Sequence, residues 1–222
     1  MEKLVERIDS LLSGERILWG AADLEGTPYA DTYKTAIIIA EGYGRSVLDP
    51  NDEEDYYELM HGLRGSMKER IERLAEALEK EGIACWAPPV AQKDELSLIA
   101  PYSFKHGAVQ AGLGWIGRNS LLVTKKFGPR VRLGALFIAP ALKTGEPTTV
   151  SSCGKCRACA EACPWGFIYG EEWKPYTRRE KLLDYHACNA YRSEMLATHG
   201  RKSECGLCLL ACPWGKRRSA LS

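Results

Sequence analysis

Eight of the nine cysteines in this chain lie toward its C-terminus. One run reads Cys153-x-x-Cys156-x-x-Cys159-x-x-x-Cys163-Pro164, and a second reads Cys205-x-x-Cys208-x-x-x-Cys212-Pro213, with Cys188 alone upstream of it. A 4Fe–4S cube takes four thiolates, so eight sulfurs at these spacings are a ligand set for two cubes. The chemistry implied is transfer of single electrons.

Three thiolates two residues apart can wrap three corners of one cube. The next cysteine follows Ala160, Glu161 and Ala162, a stretch that favours a helical turn and aims Cys163 away from its own cube. In two-cluster ferredoxins this fourth cysteine ligates the other cube. The same rule gives one cluster Cys153, Cys156, Cys159 and Cys212, and the other Cys188, Cys205, Cys208 and Cys163, with no ligand left over. Pro164 and Pro213, each after a crossing cysteine, suit a turn with fixed φ and no N–H. Zinc also uses Cys-x-x-Cys pairs but needs only four ligands and has no use for the triple spacing. A disulfide framework requires an oxidising compartment. Cys85, in Gly82-Ile-Ala-Cys-Trp-Ala-Pro, reads as a small buried hydrophobe in a strand.

The elements that must position these sulfurs are legible in outline. Residues 2–13 form an amphipathic helix stopped at Gly14. Strands are expected at 17–24, at the apolar run Thr35-Ala-Ile-Ile-Ile-Ala, which reads as covered on both faces, and at 83–86. Asn51 and Glu54 resemble a capping box opening a mostly helical region to Glu81, with Met67, Ile71, Leu74 and Leu78 on one face. A short helix is expected at 104–111, and a hairpin or sheet pair at 120–124 and 131–138. Strands alternating with helices indicate an α/β domain over 1–140. Residues 140–152 read as a linker, and 141–222 as a ferredoxin-like double-cluster domain in which Cys-Pro-Trp-Gly recurs at 163–166 and 212–215.

With 30 basic and 29 acidic residues among 222, the formal net charge is +1, which argues against a dedicated nucleic-acid surface. Lys125-Lys126, Arg178-Arg179 and Lys216-Arg217-Arg218 read as solvated faces or as docking points for an acidic partner. The charged N-terminus lacks the apolar core of a signal peptide, and no apolar run approaches a membrane span. A cytoplasmic protein is the expectation.

Ala111-Gly-Leu-Gly-Trp-Ile-Gly-Arg-Asn-Ser-Leu-Leu places Gly112, Gly114 and Gly117 within six residues. This matches G-x-G-x-x-G in form, but it follows a helix and precedes a strand, whereas the dinucleotide fingerprint runs strand, loop, helix. A Rossmann site is therefore rejected. The glycines mark either a tight turn or a loop that something approaches closely.

That loop, the cluster motif and Cys205-Gly-Leu-Cys-Leu-Leu-Ala-Cys-Pro-Trp together resemble the epoxyqueuosine reductase family, the cobalamin-dependent, double-cubane enzymes of tRNA modification related to reductive dehalogenases. Trp19-Gly-Ala-Ala-Asp resembles an early strand of the family, and Asp55-Tyr-Tyr resembles its Asp-Tyr-His helix. The resemblance implies a nitroreductase-like, cobalamin-binding α/β domain before the ferredoxin-like one. It also implies a base-off cobalamin between that domain and the clusters, contacted by Gly112, Leu113, Gly114, Trp115, Gly117, Asn119 and Ser120. A ferredoxin or flavodoxin would donate the electrons. The family's acidic residue, in a Val-Asp-x-x-Pro stretch, falls on Leu98 here, with Asp94 out of register, and its members continue beyond the last Cys-Pro-Trp toward a tRNA-binding region, whereas this chain ends at Ser222. Tyr102 and His106 are alternative proton donors, with Lys105 as a charge stabiliser, unless Tyr102 merely caps a loop and His106 is a surface helix residue. His61, His186 and His199 lack metal-ligand spacing. Three functions compete: a cobalamin-dependent reductase of a small substrate, an electron donor to a corrinoid partner protein, and the tRNA epoxide reductase itself.

Overall fold

The computed structural model describes residues 2–44, 53–89, 94, 96–194 and 205–215. Asn51 and the side chain of Glu54, the basic residues 216–218, and His199 lie outside them. By contact density the chain divides into two compact units. One comprises residues 1–42, 64–113 and 132–148; the other comprises 43–63, 114–131 and 149–222.

The first unit is built on a four-stranded sheet of order β1-β2-β6-β3, with β1 at Ile17–Asp23, β2 at Thr35–Gly42, β3 at Cys85–Trp86 and β6 at Val131–Ile138. The β1–β2 and β3–β6 pairs are antiparallel. Every residue of β2 is buried, as its unbroken apolar run requires of a central strand. Ile37 and Ile39 point into a core with Ile8 of helix α1 (Glu2–Leu11) and with Met67, Ile71, Leu74 and Leu78 of helix α2 (Glu53–Lys80). Ile38, on the opposite face, meets Gly107 of helix α3 (Phe104–Gln110), where a Cβ would lie 2.9 Å from its Cδ1. The two faces thus take different helices. The helical region expected up to Glu81 is the single helix α2, whose start counts with the second unit and whose remainder counts with the first.

Two expectations are corrected. The stretches 120–124 and 131–138 do not pair. β5 (Leu122–Val123) pairs instead with β4 (Trp115–Ile116), in the register Trp115↔Val123 and Ile116↔Leu122, while β6 enters the main sheet. The cause is burial: residues 134–138 are fully enclosed, which a two-stranded hairpin cannot provide. Nor is 140–148 a free linker. The Thr35 hydroxyl donates to the Pro140 carbonyl and accepts from the Leu142 N–H, both at 2.9 Å, and the N–H groups of Gly145 and Thr148 donate to the carbonyls of Ala21 and Val109.

Candidate metal centre

In the cysteine-bearing unit both arms fold alike. A turn closes with the Cys156 N–H on the Cys153 carbonyl, helix α4 (Ala158–Glu161) follows, and the Cys163 N–H returns to Ala160. In the other arm Gly206 leads into helix α6 (Leu207–Leu210), and the Cys212 N–H returns to Leu209. The two short helices pack together. Cys188 rides on α5 (Tyr185–Glu194), whose start is capped by the Asp184 carboxylate accepting from the Ala187 N–H at 2.9 Å.

Four sulfurs share one cavity, and Cys208 and Cys188 both feel the charges of Cys205 and Cys163. Cys153, Cys156, Cys159 and Cys212 line one cavity together with Arg118, Asn119 and Trp214. Burial pushes the Cys159 thiol up to about 11, and the charges of Cys153, Cys212 and Cys156 add to the shift. Burial likewise raises Cys208 to about 12, with Cys205, Cys159, Cys188 and Cys163 contributing. Cys188 is raised by burial and by Cys205 and Cys163, against the opposing pull of Arg192. Buried thiols that raise one another's pKa in this way call for a positive core to hold them as thiolates. Among the described residues, no three His, Cys, Asp or Glu side chains converge on the position of a single ion. A cube with one ligand at each iron corner instead spreads its sulfurs around a cavity, and the first set does this.

The loop predicted to touch cofactor supplies groups around that first set. The Trp115 side chain, 1% exposed, donates its indole N–H to Cys153 Sγ at 3.4 Å. Its ring meets Trp214 edge-on at 4.8 Å. Asn119 donates to the Cys208 carbonyl at 3.3 Å and accepts from the Leu121 N–H at 3.2 Å. Arg118 donates to the carbonyls of Gly170 and Gly154, and its buried Nε has no protein partner. Ser120 is buried at φ +58°. What approaches each glycine is the chain itself. Gly112 (φ +73°) faces the Glu146 backbone, with a Cβ placed 2.7 Å from its carbonyl oxygen. Gly114 lies against the Val123 carbonyl, and Gly117 against Val123 and Asn119. Gly112 and Leu113 belong to the sheet unit as the turn closing α3, while the rest of the loop belongs to the cysteine-bearing unit.

Arg130 was not foreseen. Only 4% exposed, it donates from Nη1 to the Trp214 carbonyl at 2.6 Å and from Nη2 to the Cys212 carbonyl at 2.8 Å. Burial lowers its pKa, and the neighbouring Cys212 and Tyr43 oppose that shift. A lone arginine in Phe-Gly-Pro-Arg carries no spacing signal; only the fold brings it to Cys212.

Tyr102, Lys105 and His106 lie in the sheet unit at the start of α3. The Tyr102 hydroxyl is buried without a partner among the described residues, and its pKa is raised by burial. Its ring stands edge-on to Phe137 at 4.9 Å, so it is packed rather than capping a loop; Ser103 is the cap, accepting from the His106 N–H at 3.4 Å. Lys105 is half-buried. His106 keeps surface open to solvent, and desolvation together with the Lys105 charge holds its imidazole below the ordinary histidine range. Leu98, where the resemblance places an acid, has a left-handed φ of +55°.

Residues 152–215 match the 4Fe-4S double cluster binding domain. The chain is 32% identical over 164 residues to the epoxyqueuosine reductase of Synechococcus sp. (strain RCC307), an alignment covering 70% of this chain and 46% of that protein. An epoxyqueuosine reductase crystallised with a tRNA-Tyr epoxyqueuosine-modified stem loop shares the fold, with TM-score 0.61 and 19% identity, over 97% of this chain and 65% of that one. A reductive dehalogenase whose structure suggests a mechanism for B12-dependent dehalogenation also superposes, with TM-score 0.59 and 20% identity, over 86% of this chain and 28% of that one. The chain spans about half the length of the curated relatives it matches. Among the described residues, no helix is long and apolar enough to cross a membrane. The chain is a relative of the epoxyqueuosine reductases whose residues 152–215 match a 4Fe-4S double cluster binding domain.

Proposed function

We propose that this chain is an iron–sulfur oxidoreductase that passes single electrons through two 4Fe–4S clusters to a base-off cobalamin and on to a small substrate. The observation that carries the reading is the cavity lined by Cys153, Cys156, Cys159 and Cys212 within a segment that matches a 4Fe-4S double cluster binding domain; Cys163, Cys188, Cys205 and Cys208 are the ligands proposed for the second cluster. A 4Fe–4S cube supplies a one-electron store at each site. The protein holds the thiolates, excludes water with Trp115 and Trp214, and fixes the crossing strand through Arg130. Tyr102 stays protonated at neutral pH, and His106 is held toward its neutral form.

Support for cobalamin is the resemblance and the B12-dependent relative. The glycine loop offers no cradle of its own, because its close approaches are filled by protein. The reductase names of the relatives favour an enzyme over a carrier for a corrinoid partner. A tRNA substrate is the second reading, favoured by the stem loop bound in one relative.

Titrating cob(II)alamin into anaerobically reconstituted protein tests the central reading. Conversion of its EPR spectrum to the base-off form at micromolar protein is expected; an unchanged spectrum removes cobalamin from the account. Restoration of queuosine in the tRNA of a reductase-null strain would select tRNA as substrate, and failure to restore it would leave the small-substrate reading.

A further inference from the structure

Side chains from outside the cysteine runs reach the first sulfur set. Beside the first, the Trp115 indole N–H points at Cys153 Sγ, and the buried Arg130 guanidinium grips the backbone of Cys212 and Trp214. Arg118 lines the same cavity with an unpartnered buried Nε. Among the described residues, Arg192, which is half-buried, and Arg179 act on Cys188 of the second set. Asn119 reaches that side only through the Cys208 carbonyl.

We propose that Trp115 and Arg130 raise the reduction potential of the cluster held by Cys153, Cys156, Cys159 and Cys212, acting on its ligands from outside both cysteine runs. Reduction adds one negative charge to a cube already carrying anionic sulfur. An N–H donor on a ligand sulfur and a nearby cation both favour the reduced form, and hydrogen bonds to sulfur, net charge and solvent exposure are the protein's levers on this potential. A buried charge acts through a lower dielectric than an exposed one, which strengthens the influence of Arg130 on the first cluster. The geometry also links the two residues. Trp115 stacks edge-on against Trp214, whose carbonyl Arg130 holds, so each buttresses the other's contact with the cluster ligands.

The inference rests on the two-cluster reading, and its test separates the two. Anaerobic protein is titrated with dithionite, each cube taking one electron, and the reduced signals are followed by EPR. Cys208→Ser identifies the signal of the second cluster. In Trp115→Phe and Arg130→Gln, with Arg130→Lys retaining the charge, the wave of the first cluster is expected to move to lower potential. The shift should be at least threefold in the electron-partition constant for Trp115→Phe and Arg130→Gln, which is about 28 mV at 59 mV per decade, and smaller for Arg130→Lys; the other wave stays in place. An unmoved first wave, or a shift of the second wave alone, overturns the proposal while two intact signals still uphold the two-cluster reading. Protein labelled with 15N at the tryptophan indole gives a readout that needs no variant. The reduced first cluster should show a 15N hyperfine coupling, and its absence from otherwise normal spectra contradicts the Trp115–Cys153 contact.

Discussion

Single residues in this protein are set by what surrounds them more than by their type. Tyr102 was read from the sequence as a proton donor, yet its hydroxyl is buried with no partner among the described residues and its ring is edge-packed on Phe137. An unpaired buried hydroxyl costs on the order of 1 kcal/mol or more. Tyr102→Phe is therefore expected to leave stability at pH 7 unchanged or raise it by about 1 kcal/mol. The folded-state pKa is raised, so this residue's contribution is fully present below the unfolded value near 10 and is lost as pH climbs above it. Urea unfolding at pH 7 and above pH 10 checks both points: wild type should weaken more than the variant at the alkaline end, and an equal decline would show that the hydroxyl is not held protonated by the fold. Residue types with a spacing code, such as the cysteines, were legible in advance. Arg130 and the Trp115 indole contact were not, because each depends on residues about 82 and 38 positions away in sequence.

At the scale of elements, strong periodicity carried over and short strands did not. The helix expected over 2–13 is present as Glu2–Leu11, and the apolar run at Thr35 became the buried central strand. The pairing of β5 was misread because a two-residue strand has no pattern to read. Its partner is fixed by Gly114, which lets the chain approach the Val123 carbonyl. Gly114→Ala brings a Cβ to 2.9 Å from the Val123 carbonyl carbon. It should cost about 2–3 kcal/mol, the upper range for overpacking. Gly154→Ala meets open space at φ +53° and should cost only the left-handed penalty of about 1 kcal/mol. Thermal unfolding of the two variants compares them directly, and equal losses would show that the turn tolerates a side chain at 114.

For the whole molecule, the division into a sheet unit and a cysteine-bearing unit does not follow the chain order. Residues 43–63 and 114–131 count with the cysteines, because Tyr43, Tyr56, Met60 and Leu63 share a core with Leu209. A linear reading of composition cannot reveal such an exchange, since nothing in the start of α2 advertises that its partner lies some 150 residues on. The first set is framed by Trp115 of β4, Val123 of β5 and Arg130, contributed from well before the first cysteine run. The account stands on two cubes with crossed ligands. Iron and EPR spin quantification of anaerobically reconstituted protein, alongside Cys188→Ala, tests this most directly. About eight irons and two reducible spins per chain are expected, falling in the variant to about four irons with only the Cys153/Cys156/Cys159/Cys212 signal retained. An unchanged iron content in Cys188→Ala, or wild-type protein that binds zinc and gives no reduced-state signal, would contradict it.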